Sequence, residues 1–81
     1  MEMYSVYDRK LREYGAILLS QNEAACFRMI QVGVKGSGSL MEKYPADFEL
    51  HKVGVFNTEF GEVTTSGRPE VIATLSEILE V

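Results

Sequence analysis

The sequence predicts a small α+β domain: an antiparallel sheet of about four strands, arranged as two hairpins, packed with two helices in the order ββαββα. Three observations predict it. Segments rich in β-branched and aromatic residues come in pairs joined by polar turns, at 3–7 with 14–19 and at 48–56 with 62–65. A segment with apolar residues at three- and four-residue spacing lies between the pairs, and another closes the chain. Finally, 81 residues are enough for one domain and too few for two, with no linker, repeat or low-complexity stretch, so residues 1–81 read as a single domain.

The elements follow in order. Met3-Tyr4-Ser5-Val6-Tyr7 reads as a strand, and residues 14–19 as its partner. Asp8-Arg9-Lys10-Leu11-Arg12-Glu13 joins them in a hairpin with a basic tip, too long for a two-residue turn to set the register. Ser20 and Glu23 have the S-x-x-E spacing of a capping box, which predicts a helix over residues 23–35. Arg28, Gln31 and Lys35 mark its wet face; Phe27, Ile30 and Val34 mark the other, flanked by Cys26, Met29 and Val32. An apolar arc this wide predicts one side against the sheet and the other against a second copy.

Gly33, Gly36 and Gly38, with Ser37 and Ser39, end this helix, since glycine takes the left-handed C-cap conformation readily. Ser39 and Glu42 repeat the S-x-x-E spacing, predicting a short helical turn over residues 40–43 that Pro45 stops. In the third strand, residues 48–56, Phe48 and Leu50 alternate with Glu49 and His51 until Lys52 breaks the pattern before Val53 and Val55, which predicts a bulge or a change of face. Asn57-Thr58-Glu59-Phe60-Gly61 is a turn with Gly61 suited to positive φ. Pro69 fits a first helical position, and Val71 or Ile72, Leu75, and Ile78 or Leu79 continue as the closing helix.

Composition narrows the function classes. Apolar residues make up 46% and charged residues 25%, as in a folded globular protein. No apolar run approaches the ~20 residues of a membrane span. Met1-Glu2-Met3-Tyr4 lacks the features of a secretory signal, which predicts a cytoplasmic protein. Cys26 is the single cysteine, so neither an internal disulfide nor a thiolate metal cluster can form. A core this small supplies roughly 3–5 kcal/mol, and a homo-oligomer, most simply a dimer, would bury more apolar surface. The formal net charge of −4 argues against sequence-independent coating of duplex DNA, which depends on phosphate neutralisation.

The N-terminal hairpin is the most informative surface. Arg9, Lys10 and Arg12 sit beside Tyr4, Tyr7 and Tyr14, and cations interleaved with aromatic rings suit single-stranded nucleic acid. Glu2, Asp8 and Glu13 dilute the charge, and half-buried strand tyrosines with a solvated turn would look the same. Gly33-Val34-Lys35-Gly36-Ser37-Gly38-Ser39 invites a phosphate-binding reading with Lys35 and Lys43 as cations, although it is not a Walker loop and is more simply a connector. His51 reads as a partly exposed edge-strand residue, and Cys26 as core. Glu77 and Glu80 read as a solvated face in the last turn, where acids slightly oppose the helix dipole. Nucleophile, base and oxyanion donor cannot all be named, and no metal-ligand or cofactor motif is present, so the chain reads as a non-enzyme.

Tyr4-Ser5-Val6-Tyr7-Asp8, Lys10-Leu11-Arg12-Glu13-Tyr14-Gly15, Gly36-Ser37-Gly38-Ser39 and Tyr44-Pro45-Ala46-Asp47-Phe48-Glu49-Leu50 carry a resemblance, with Gly54, Phe56, Gly61 and Glu62. In their order and spacing the chain resembles the small non-structural proteins of gokushoviruses, single-stranded-DNA phages of the Microviridae. The resemblance implies a non-structural accessory protein in the host bacterial cytoplasm that binds single-stranded viral DNA during genome replication or packaging. Its alternative is a protein-interaction adaptor that docks the replication initiator, a host replication protein or the procapsid without touching DNA. It carries over no catalytic residues.

Overall fold

Alternate side chains of the first strand meet different surroundings, and this alternation sets the architecture. In the computed structural model, which describes residues 1–65 and 67–80, β1 (Glu2–Asp8) lies between β2 (Glu13–Ser20) and β3 (Phe48–Phe56), antiparallel to both. Two short strands share the far edge of β3. β4 (Val63–Thr64) pairs with Val55 and Phe56, and β5 (Glu70–Thr74) pairs with residues 49–52. The result is a five-stranded antiparallel sheet with β2 at one edge.

The helices pack on one face. α1 (Glu23–Val34) contributes Cys26, Ile30 and Val34 to a core completed by Tyr4, Phe48, Leu50 and Ala73 from the sheet and by Leu75 and Ile78 from α3 (Leu75–Leu79). Each fully buried Leu or Ile is worth about 1.5–3 kcal/mol, so this one cluster carries most of the fold. Gln31 ties the two helices by donating from Nε2 to the Ile78 carbonyl at 2.9 Å. α2 (Leu40–Lys43) and a 3-10 turn at Pro45–Asp47 bring the chain from α1 back to β3. The α+β class, the predicted third strand, the turn at residues 40–43 and the core position of Cys26 are all present.

The departures have local causes. α1 starts at Asn22, not Ser20: the Asn22 side chain accepts from Ala25 N at 2.8 Å, while Ser20 Oγ donates to the Asn22 carbonyl. Gly33 lies inside α1, and the left-handed positions are Gly36 and Gly38, with φ of 78° and 70°. Pro69 opens no helix. Val71, Ile72 and Thr74 take the extended conformation that suits β-branched residues and close the sheet as β5. The helix begins only at Leu75, where Thr74 and Glu77 form a reciprocal capping box. Glu77 therefore sits in a first turn, where a carboxylate favours the helix dipole, the reverse of the expectation for a last turn. The second hairpin is reduced to the two residues of β4, with Gly61 at φ 73° in its turn.

Register shifts fix which side chains share a face. Ser5 pairs with Ile17 and Tyr7 with Tyr14, so Gly15 and Ala16 both lie opposite Val6. That extra residue turns Tyr14 onto the face of Ile17, which simple alternation would deny it. The bulge expected after Lys52 is also present: Met3 pairs with Gly54 and Tyr4 with Lys52, leaving Val53 between. A third shift leaves Ile72 extra in β5.

Candidate nucleic-acid interface

With the helices on the Tyr4–Leu50 face, the opposite face of β1, β2 and β3 carries Ser5, Tyr7, Tyr14, Ile17, Glu49 and His51. His51 is 6% exposed on the central strand. Its burial follows from its neighbours rather than from a covering helix. Tyr7 stacks on the imidazole at 5.2 Å and 19°, and Tyr14 meets it edge-on at 5.3 Å. The two tyrosine rings lie 4.8 Å apart. Aromatic pairs of this kind contribute about 0.5–1.5 kcal/mol beyond their buried area.

Hydrogen bonds lock the cluster. Tyr14 Oη lies 2.8 Å from His51 Nδ1, and His51 Nε2 lies 3.1 Å from Glu49 Oε1. A carboxylate can only accept, so in the neutral imidazole the ring proton lies on Nε2 and Nδ1 accepts the Tyr14 O–H. Burial, with Tyr7 and the Glu49 carboxylate nearby, pushes the Tyr14 phenol above its ordinary value, so it stays a neutral donor. Beneath them Ser5 Oγ donates to the Gly15 carbonyl at 3.0 Å, pinning the bulge that aims Tyr14. Tyr14 is still 44% exposed, so part of it remains open to a ligand.

The basic tip borders this face through the ends of β1 and β2. Asp8 Oδ1 accepts from the backbone N–H of Lys10 at 2.9 Å and of Leu11 at 3.1 Å, and Arg12 closes the turn at φ 59°. Left-handed backbone is unusual for a residue with a side chain and costs roughly 1–2 kcal/mol. Arg9 docks the tip on the 3-10 turn: its N–H donates to the Asp47 carbonyl at 2.9 Å and its guanidinium to the Ala46 carbonyl at 3.3 Å. Lys10 and Arg12 are exposed and pair with no carboxylate among the described residues.

Three sequence expectations change here. Tyr4 is 1% exposed in the core beneath α1, so its ring is unavailable to a base; Tyr7 and Tyr14 alone reach the open face. The glycine loop does not present free N–H groups to phosphate. Glu42 fills that role, accepting from Gly38 N at 2.8 Å and from Gly36 N, and these bonds hold its carboxyl below the ordinary carboxylate value. Lys35 at the end of α1 and Lys43 at the end of α2 therefore flank a loop whose anion is already in place. His51, expected at a partly exposed edge, is buried at the sheet centre. The Glu49–His51 spacing on one strand was visible in the sequence; what placed Tyr14 over them was the bulge, which left no local signature.

Among the described residues no group of His, Cys, Asp and Glu has a metal-holding arrangement, and no helix is long and apolar enough to cross a membrane. Residues 1–78 match the family model described as Phage ORF5 protein. The chain is 35% identical over 65 residues to Protein ORF5 of Chlamydia phage 1, covering 75% of this chain and 68% of that protein. No solved structure matches.

Proposed function

Because the chain belongs to the phage ORF5 family, we propose that it is a non-structural accessory protein that binds single-stranded viral DNA during genome replication or packaging in the host bacterial cytoplasm. It acts by binding and carries out no chemistry of its own. The observation that carries this reading is the Tyr7–Tyr14–His51 cluster on an uncovered sheet face, beside Lys10 and Arg12, which pair with no carboxylate among the described residues. Base stacking on an exposed aromatic is worth about 1–3 kcal/mol per base and tolerates any sequence. The cations at the tip neutralise the phosphates, and the net charge of −4 keeps duplex DNA from being coated at large.

The test is a fluorescence-anisotropy titration of a labelled single-stranded oligonucleotide, with its duplex as control, at low and physiological salt. Tight, salt-sensitive binding to the single strand is expected. Replacing Arg9, Lys10 and Arg12 together by alanine should weaken it and flatten the salt slope by about 2, because each phosphate neutralised on a single strand contributes roughly 0.7 to that slope. Unchanged affinity and slope would remove the tip from the site. The same net charge supports a second reading, an adaptor that docks a replication protein or the procapsid without DNA. Absence of binding at both salt concentrations would favour it.

A further inference from the structure

We propose that the free edge of β2, together with the flank of α1 beside it, is the interface through which two copies of this chain form a twofold dimer. β2 pairs with β1 alone, so its outer N–H and C=O groups have no strand partner among the described residues. Folded proteins usually guard such an edge with lysine, proline or inward charge. Glu13 and the Gly15–Ala16 bulge guard only the hairpin end of β2; Ile17-Leu18-Leu19-Ser20 beyond them carries no such guard, with Ile17 51% exposed and Leu19 also exposed.

The helix repeats the pattern. α3 occupies one side of α1, where Gln31 bonds to Ile78. The other side, toward the β2 edge, presents Ala25, Met29, Val32 and Gly33 at three- and four-residue spacing, with Val32 80% exposed. A groove of about 510 Å³ separates this flank from β2, with Ala16, Leu18, Met29 and Gly33 on its walls and Leu11 and Met41 in its lining. A Cβ added at Gly33 would meet nothing, so the helix backbone itself is open to close approach.

The occupant follows from area, charge and symmetry. A standard interface buries about 800 Å² per partner, roughly a seventh of this chain's 5468 Å². An interface of that size has to draw on the α1 flank and the groove as well as the strand edge. The strand from Tyr14 to Ser20 and the four flank residues of α1 carry no charge, and the charges lining the groove are Asp8 and Glu13 at its hairpin end, so the uncharged stretch complements itself better than it complements a charged partner. Antiparallel pairing of β2 with its copy extends an all-antiparallel sheet about an axis perpendicular to it. That axis keeps both α1 helices on one face, so their flanks meet above the paired strands and the two grooves merge. Centring the pair on Leu18 sets Ile17 against Leu19 of the second copy, with the bulge residue Ala16 opposite Ser20 at the end of the paired stretch. The Tyr7–Tyr14 face stays open in both copies.

Light scattering coupled to size exclusion, on the full chain without DNA at about 100 µM, tests this. A mass near twice the 9.1 kDa of one chain is expected. Ile17→Lys and Met29→Glu should each halve that mass while circular dichroism shows the fold retained; Phe60→Lys, at an exposed position in the turn before β4, should leave it unchanged. A monomeric wild type, or a dimer that survives both interface substitutions, overturns the proposal. Because no DNA is present, a dimer that binds no oligonucleotide counts against the DNA reading alone, and a monomer that binds one counts against this interface alone.

Discussion

Two substitutions of Tyr14 separate its roles as a lock and as a platform. Tyr14→Phe keeps the ring and deletes the hydroxyl that donates to His51 Nδ1 at 2.8 Å. His51 is 6% exposed, so water cannot readily replace the lost donor. Leaving a buried polar atom unsatisfied costs about 1–3 kcal/mol. In a domain of this size each kcal/mol lowers the melting temperature by about 4–8 °C, so a drop of at least ~4 °C is expected by calorimetry. The pH dependence has a definite sign. The folded-state pKa of Tyr14 is raised, so its contribution is complete below the ordinary value of 10.0 and is lost as the pH rises through the folded-state value. The wild-type advantage over Tyr14→Phe should therefore shrink only in strongly alkaline solution. Affinity for single-stranded DNA should hardly change, because phenylalanine still stacks. Tyr14→Ala should lose one base stack, about 1–3 kcal/mol, a roughly 5- to 150-fold weaker complex by anisotropy. An unchanged melting temperature in Tyr14→Phe refutes the lock, and unchanged affinity in Tyr14→Ala refutes the platform.

Two further predictions rest on local geometry. A Cβ at Gly54 would lie 2.7 Å from the Thr64 carbonyl oxygen, so Gly54→Ala should force β4 away and cost about 1–3 kcal/mol in chemical denaturation; a neutral result would mean that β4 is not held against β3. Glu42 is held below the ordinary carboxylate value by the Gly36 and Gly38 N–H groups, so its stabilisation is present above that value and lost as the pH falls through the depressed one. The amide resonances of Gly36 and Gly38 should titrate with a shared midpoint below that of a free glutamate, and Glu42→Gln should abolish the step; a midpoint at the free value would contradict the clasp.

The sequence made legible whatever depends on local pattern. The hairpin, the span of β3, the bulge after Lys52 and the turn at Leu40–Lys43 follow from alternation and turn chemistry. The tail misled because Val71, Ile72 and Leu75 satisfy helical spacing, while the free edge of β3, invisible in the sequence, draws residues 70–74 into the sheet instead. Ser20 and Asn22 are both good caps, but Ser20 is the buried last residue of β2 with its hydroxyl bonded to the Asn22 carbonyl, and Asn22 caps α1. The candidate site was half visible. The basic tip and the tyrosines could be named, but Tyr4 falls in the core because the helices cover its face of β1, and Tyr14 joins Tyr7 on the open face because of the Gly15–Ala16 bulge. His51 was undervalued because its burial comes from two rings contributed by two other strands.

The central claim is that the uncovered sheet face and the hairpin tip receive single-stranded DNA. The most direct test is a two-dimensional amide correlation spectrum of the labelled protein titrated with a short oligothymidylate at low salt. Progressive shifts at Tyr7, Lys10, Arg12, Tyr14 and His51, with α3 and the α1 residues beside it unmoved, are the predicted result. Shifts confined to the helical face, or none at saturating oligonucleotide, would contradict it.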